Sequence, residues 1–145
     1  MSRIIVAYWT QSGSTQAMAE AVGEGIARAG KEADVRFVTE VSAQELKGAA
    51  CFALGCPAMG AEVLEETEME PFVAEAEGFA AGKTIALFGS YGWGDGQWMR
   101  DWVDRMSAAG AVVLNGEGVI CQYAPDENGL EECRRLGEQL AASAG

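Results

Sequence analysis

The chain predicts an α/β fold: a doubly wound, five-stranded parallel sheet, strand order 2-1-3-4-5, between two helical layers. Three observations carry this. Short apolar runs rich in β-branched residues alternate with amphipathic helical patterns, five times over. Buried strands alternating with such helices pack as a parallel sheet covered on both faces, and right-handed crossovers then leave few topologies. The loops of unusual composition all follow the first, third or fourth strand, where such a sheet binds its ligands. The 145 residues, 49% of them apolar, suit one domain spanning 1–145.

The elements follow in order. "RIIVAYW", residues 3–9, reads as a strand buried on both faces. The period then changes over 15–29, where Met18, Val22 and Ile26 recur every four residues and Gly30 stops the helix. "ADVRFVTEV" alternates in part, as an edge strand would, and "SAQELKGA" is a short helical turn. "ACFALGC", residues 50–56, is a third strand, followed by a Glu-rich segment from Ala58 to Glu70. "EPFVAEAEGFA" reads as a helix with Pro71 in its first turn, where proline is tolerated. "KTIALFG", residues 83–89, is the fourth buried strand. Residues 97–109 form a helix with Trp98, Trp102 and Met106 on its core side. "AVVLNGEGVICQYA" holds the last strand, interrupted near Gly116, and 129–142 form the closing helix on Leu130, Cys133, Leu136 and Leu140.

Composition removes several functions. Ten basic and 22 acidic residues give a net charge of −12, which repels nucleic acid and anionic lipid and favours basic partners. There is no histidine, so an imidazole base, a Ser-His-Asp triad and the usual zinc sites are excluded. Cys51, Cys56, Cys121 and Cys133 form neither a CxxC pair nor a tight framework, and the first apolar run is too short for a signal peptide or a membrane span. A monomer in the cytoplasm, away from membranes, is expected.

The first loop, Thr10-Gln11-Ser12-Gly13-Ser14-Thr15, opens a helix. Free amides at a helix N-terminus, hydroxyl donors and a glycine that admits close approach can hold a phosphate without any cation. Neither G-x-x-x-x-G-K-[ST] nor GxGxxG is present, so a terminal phosphomonoester fits better than a triphosphate or a pyrophosphate. The second loop runs Pro57-Ala58-Met59-Gly60-Ala61-Glu62, and the third runs Ser90-Tyr91-Gly92-Trp93-Gly94-Asp95. A tryptophan set between glycines is free to stack on a flat ligand, and Met59 offers a soft apolar surface opposite. Cys56, nearest these loops, is read as packing.

"YWTQSGST", "GCPAMGAEVLEE", "EPF" and "ALFGSYGWGDGQWMRDW", with "PDE" at 125–127, together resemble a flavodoxin of the short-chain kind found in anaerobic bacteria. The likeness spans essentially the whole chain, and no long insertion splits the final strand. It implies a flavodoxin-like three-layer sandwich and a non-covalent FMN, with no catalytic residues and no metal. Thr10 to Thr15 would take the phosphate, with Ser12 where the family usually has a threonine. Met59 and Trp93 would flank the isoalloxazine, Glu62 would accept from flavin N3–H, and backbone from Ser90 to Asp95 would serve the pyrimidine end. Ala61 stands where several relatives carry Asp or Asn.

The implied function is low-potential one-electron transfer, cycling mainly between semiquinone and hydroquinone. Rotation of the Gly60–Ala61 peptide would favour the first reduced form, since glycine adopts the new dihedrals at low cost. Glu62, Glu65, Glu66, Asp95 and Asp101 would resist the second electron and form a docking face for basic-surfaced redox proteins, with binding weak, fast and salt-dependent. At ~10 Å in water-like dielectric each acid costs about 0.4 kcal/mol, or ~2 kcal/mol together. The alternative is an FMN-dependent reductase of a quinone or similar small acceptor on the same fold, which would need a second pocket. A signalling receiver would need clustered acids where Trp9 and Thr10 stand, and a Cys-x5-Arg phosphatase fails because that spacing from Cys56 reaches Glu62.

Overall fold

The computed structural model describes residues 3–144. Strands β1 (Arg3–Tyr8), β2 (Glu32–Phe37), β3 (Cys51–Gly55), β4 (Thr84–Tyr91), β5 (Val112–Val113) and β6 (Val119–Gln122) alternate with helices α1 (Ser14–Arg28), α2 (Ala43–Lys47), α3 (Met69–Glu77), α4 (Gln97–Ala108) and α5 (Glu127–Ser143). All strand pairs are parallel, in the order β2-β1-β3-β4-β5, and β6 also pairs with β4. The expected order 2-1-3-4-5 therefore holds, with β2 at one edge as its partial alternation suggested.

The fifth strand position is shared by two pieces. β5 pairs with Thr84 and Ile85, and β6 pairs with Phe88 to Tyr91. Between them the chain leaves the sheet, with Asn115 and Gly116 both at positive φ (64° and 67°). This is the interruption expected at Gly116: an outer strand that bulges resists pairing with other chains. β2 is shorter than "ADVRFVTEV", because Val38–Glu40 coil into a 3-10 turn. β4 runs two residues beyond the expected end, to Tyr91, because β6 supplies partners for its last turn of ladder.

Side chains on the sheet alternate between two cores. Phe52, Leu54, Ile85 and Leu87 meet Met69, Val73, Trp98, Trp102 and Met106 of α3 and α4 on one face. Val6, Ala53, Ala86 and Phe88 meet Met18, Val22, Ile26, Leu136 and Leu140 of α1 and α5 on the other. The second layer is closer-packed. A Cβ on Gly25 would lie 1.8 Å from Arg134 O, and one on Gly137 would lie 2.0 Å from Val22 O. Glycine at these two positions lets α1 and α5 touch backbone to backbone.

Two strand–loop–helix passages deliver the loops to one end of the sheet. α1 is entered through Gly13 (φ 96°) and α4 through Gly96 (φ 93°), both left-handed, a region favourable only to glycine. α3 is entered differently, through the buried carboxylate of Glu65. Among the described residues no helix is long and apolar enough to cross a membrane.

Candidate binding cleft at the carboxyl end of the sheet

Beyond the strand ends the ladder continues into the loops. Trp9 N–H donates to Gly55 O (3.0 Å), Cys56 N–H to Phe88 O (3.1 Å), Ala58 N–H to Ser90 O (3.0 Å) and Tyr123 N–H to Tyr91 O (2.7 Å). These bonds splay four loops around a common opening. A cleft of about 240 Å³ lies there. The first loop lines it with Thr10, Gln11, Ser12, Ser14 and Thr15, the second with Pro57, Ala58 and Met59, and the third with Ser90, Tyr91 and Gly92. Eleven of the residues singled out in the sequence thus share one cleft.

The first loop is a donor-rich turn. Gly13 N–H donates to Thr10 Oγ1 (3.0 Å), and the helical ladder begins only with Ala17 N–H to Gly13 O (3.0 Å). The amides of Ser14, Thr15 and Gln16 therefore precede the first helical bond and have no acceptor within the described chain. Ser12 Oγ lies 3.3 Å from Ser14 Oγ. Thr15 behaves differently from its neighbours. Its side chain is buried, and its Oγ1 is 3.0 Å from Ser90 Oγ, so this hydroxyl ties the start of α1 to the end of β4.

The second loop turns sharply. Met59 and Val63 exchange both backbone hydrogen bonds (2.9 and 3.0 Å). The three residues between them complete a tight reversal, with Gly60 at φ 46° and Glu62 at φ 58°. Gly60, Ala61 and Glu62 lie outside the cleft's lining. The Glu62 carboxylate instead packs against the third loop, where a Cβ on Gly94 (φ 90°) would come within 2.7 Å of it. Its Oε1 is buried without a hydrogen-bond partner.

In the third loop Trp93 is 69% exposed and lies outside the lining, as do Gly94 and Asp95. Arg100 pins this loop, donating from Nη1 to Asp95 O (3.1 Å) and from Nη2 to Asp95 Oδ1 (3.0 Å). Trp98 is core, as its helical spacing indicated, and donates from Nε1 to Cys56 O (3.1 Å).

Two findings depart from the sequence reading. Tyr123 and Ala124, after β6, complete the cleft and were not anticipated. The signal was available, since that loop too sits at the carboxyl end of the sheet. Tyr123 has φ 57° and is 67% exposed, and its ring lies 3.3 Å from where a Gly92 Cβ would be. Second, Glu65 is not a solvent-facing acid. It is 7% exposed, and its carboxylate accepts from the amides of Thr67 (2.9 Å), Glu68 (2.8 Å) and Met69 (2.9 Å) and from the Thr67 hydroxyl. Burial by itself would raise its pKa, but these donors outweigh that and hold it below the usual carboxylate range. The Cys56 thiol is pushed up to about 12 by burial, with the Glu65 amide pulling the other way. Such a thiol stays protonated and packs, the role expected of it.

Comparison with known proteins places these features in a family. A sequence model of the family described as "Flavodoxin" matches residues 6–137. The chain is 45% identical over 136 residues to the flavodoxin of Clostridium beijerinckii, covering 94% of this chain and 97% of that one. It is 38% identical over 137 residues to that of Megasphaera elsdenii, covering 94% and 96%. Among solved structures, the two-electron-reduced Megasphaera elsdenii flavodoxin superposes with a TM-score of 0.86 at 34% identity, over 96% of this chain and 98% of that one.

Proposed function

Since the chain belongs to the flavodoxin family, low-potential electron carriers that hold FMN, we propose that the cleft at the carboxyl end of the sheet is its FMN site. The donor set supports the fit. Unpaired amides and hydroxyls crowd one end of the cleft, with no lysine or arginine in its lining, while Met59, Tyr91 and Tyr123 offer apolar surface at the other. A ligand with a phosphate and a flat aromatic body matches both ends.

When bound, FMN supplies reversible one-electron chemistry. The chain's residues divide the work of holding and tuning it. The amides of Ser14, Thr15 and Gln16 and the hydroxyls of Thr10, Ser12 and Ser14 take the phosphate, aided by the α1 dipole. Thr15 also braces the site through Ser90. Met59 and Trp93 flank the ring, and the exposure of Trp93 leaves its face free for stacking. Glu62 accepts the imide N3–H, held in place by its positive φ and by Gly94. Backbone from Ser90 to Asp95, pinned by Arg100, serves the pyrimidine end. The Gly60–Ala61 peptide, exposed in the tight turn, is free to rotate and offer its carbonyl.

No residue here acts as an acid, base or nucleophile on a substrate; the protein is a carrier rather than an enzyme. We further read it as a monomer of the cytoplasm, consistent with four free, buried cysteines. It would dock transiently with basic-surfaced redox proteins and with neither nucleic acid nor membranes.

The observation that carries this reading is the single cleft joining the donor loop to an apolar wall. Fluorescence titration of the apoprotein tests it. FMN should bind with one-to-one stoichiometry and at least tenfold more tightly than riboflavin, because several charge-assisted hydrogen bonds depend on the phosphate. Equal affinity for the two ligands removes the phosphate assignment, and no uptake of either removes the site.

A further inference from the structure

Beside Glu62, and outside the lining of the cleft, lies a small pocket of about 130 Å³. Glu62, Glu70, Trp98, Asp101, Trp102 and Arg105 contribute to its wall. Among the described residues two side-chain polar atoms are buried without a partner, and both belong to residues of this wall: Glu62 Oε1 and Trp102 Nε1. One can only accept and the other can only donate.

The neighbouring groups make these two the exceptions. Trp9 Nε1 donates to Glu68 Oε1 (2.8 Å), and Trp98 Nε1 donates to Cys56 O (3.1 Å). Glu65 has its full set of donors, and Glu70 is paired with Arg105, at 2.8 Å from Oε1 to Nη1 and 2.6 Å from Oε2 to Nη2. Trp102 is 1% exposed, so bulk water cannot satisfy its N–H. A buried donor left unmet costs more than an ordinary hydrogen bond returns. At about 30 Å³ per molecule the cavity has room for a few waters, and its polar wall gives each of them partners.

We propose that ordered water in this cavity joins Trp102 N–H to Glu62 Oε1, making Trp102 a positioning residue for the cofactor-binding carboxylate. The donated hydrogen bond keeps the Glu62 carboxylate aimed, and it leaves Oε2 for the imide. This rests on the reading of Glu62 as the imide acceptor. A tryptophan, rather than another large apolar residue, is then needed at position 102 for its N–H and not only for its bulk.

The test is a double-mutant cycle on the full chain, read by FMN affinity, together with NMR of the apoprotein. Trp102→Phe keeps the ring and deletes the donor. It should weaken FMN binding about fivefold, the worth of one ordinary net hydrogen bond. In a Glu62→Met background the same change should have no further effect, since the accepting oxygen is already gone. A Trp102→Phe effect under twofold, or one that is fully additive with Glu62→Met, overturns the proposal. The Trp102 indole Hε1 of the apoprotein should show cross-relaxation with a long-lived water; none overturns the proposal whatever the cofactor does. Glu62→Met binding FMN like wild type would instead sink the imide assignment, with the water still judged by the NMR arm.

Discussion

At the scale of single residues, the site is built from groups that do two jobs. Glu65 is the clearest. As a sequence feature it is one acid among many in "EVLEETEME"; in the fold it is the buried acceptor for three amides at the start of α3. Its carboxyl is held below the ordinary value of 4.5, so its stabilisation is complete above that pH and is lost as pH falls through the lowered folded value. Glu65→Gln should therefore cost about 1–3 kcal/mol at pH 7, and the gap from wild type should narrow as pH falls below 4.5 toward the lowered folded value. Urea melts at pH 7 and pH 3.5 read both; a gap independent of pH would mean the charge is irrelevant. Tyr123 poses the opposite case. A non-glycine residue at positive φ, mostly exposed, gains little for the fold. Tyr123→Gly should raise apoprotein stability by up to ~1 kcal/mol while weakening FMN binding severalfold. Unchanged affinity would show that the ring is not part of the cleft wall. Tyr123 carries no periodic or motif signal of its own, and only its place in a loop at the carboxyl end of the sheet marked it.

Elements were legible wherever periodicity was strong. β1, β3 and β4 are unbroken apolar runs, and α1, α4 and α5 show a repeat near four, so their cores followed directly. Edges were less so. The end of β2 coils at Val38 because an edge strand has only one partner to hold it extended. The contact between α1 and α5 was not legible at all. Gly23 and Gly25 look like weak points in a helix, and only the fold explains them: Gly25 meets the opposing backbone at Arg134, and Gly23 meets the Val35 side chain of β2. Gly25→Ala improves helix propensity by ~1 kcal/mol, yet should destabilise the protein by about 1–3 kcal/mol through overpacking. A chemical melt of this variant measures the balance, and a gain in stability would mean that the helices separate freely.

For the molecule as a whole, the −12 charge acts on both redox energetics and encounter. Glu65 drops out of the group of acids facing solvent, and Asp95 is partly offset by Arg100 at 3.0 Å. Glu66 and Asp101 remain exposed. At ~10 Å in water-like dielectric each costs the reduced flavin about 0.4 kcal/mol, so Glu66→Gln with Asp101→Asn should raise the second couple by roughly 35 mV at low salt. Spectroelectrochemistry would show it, and a shift below ~10 mV would remove the electrostatic account. The same field predicts that electron exchange with a basic partner slows as ionic strength rises and the Debye length shrinks below ~10 Å.

By itself the sequence determined the alternation of buried strands and amphipathic helices, the 2-1-3-4-5 sheet, and three loops rich in hydroxyls, glycine and an unsupported tryptophan. These are local properties, written in period and composition, and the family's motifs lie in the same loops. Tertiary structure alone decided which acids face solvent and which cap a helix, that Tyr123 closes the cleft, and that Glu62 and Trp102 border one cavity. Those outcomes depend on where distant segments meet. A carboxylate or an indole has the same identity in every environment, and burial and hydrogen-bond partners, which exist only once the chain has folded, set what each one does.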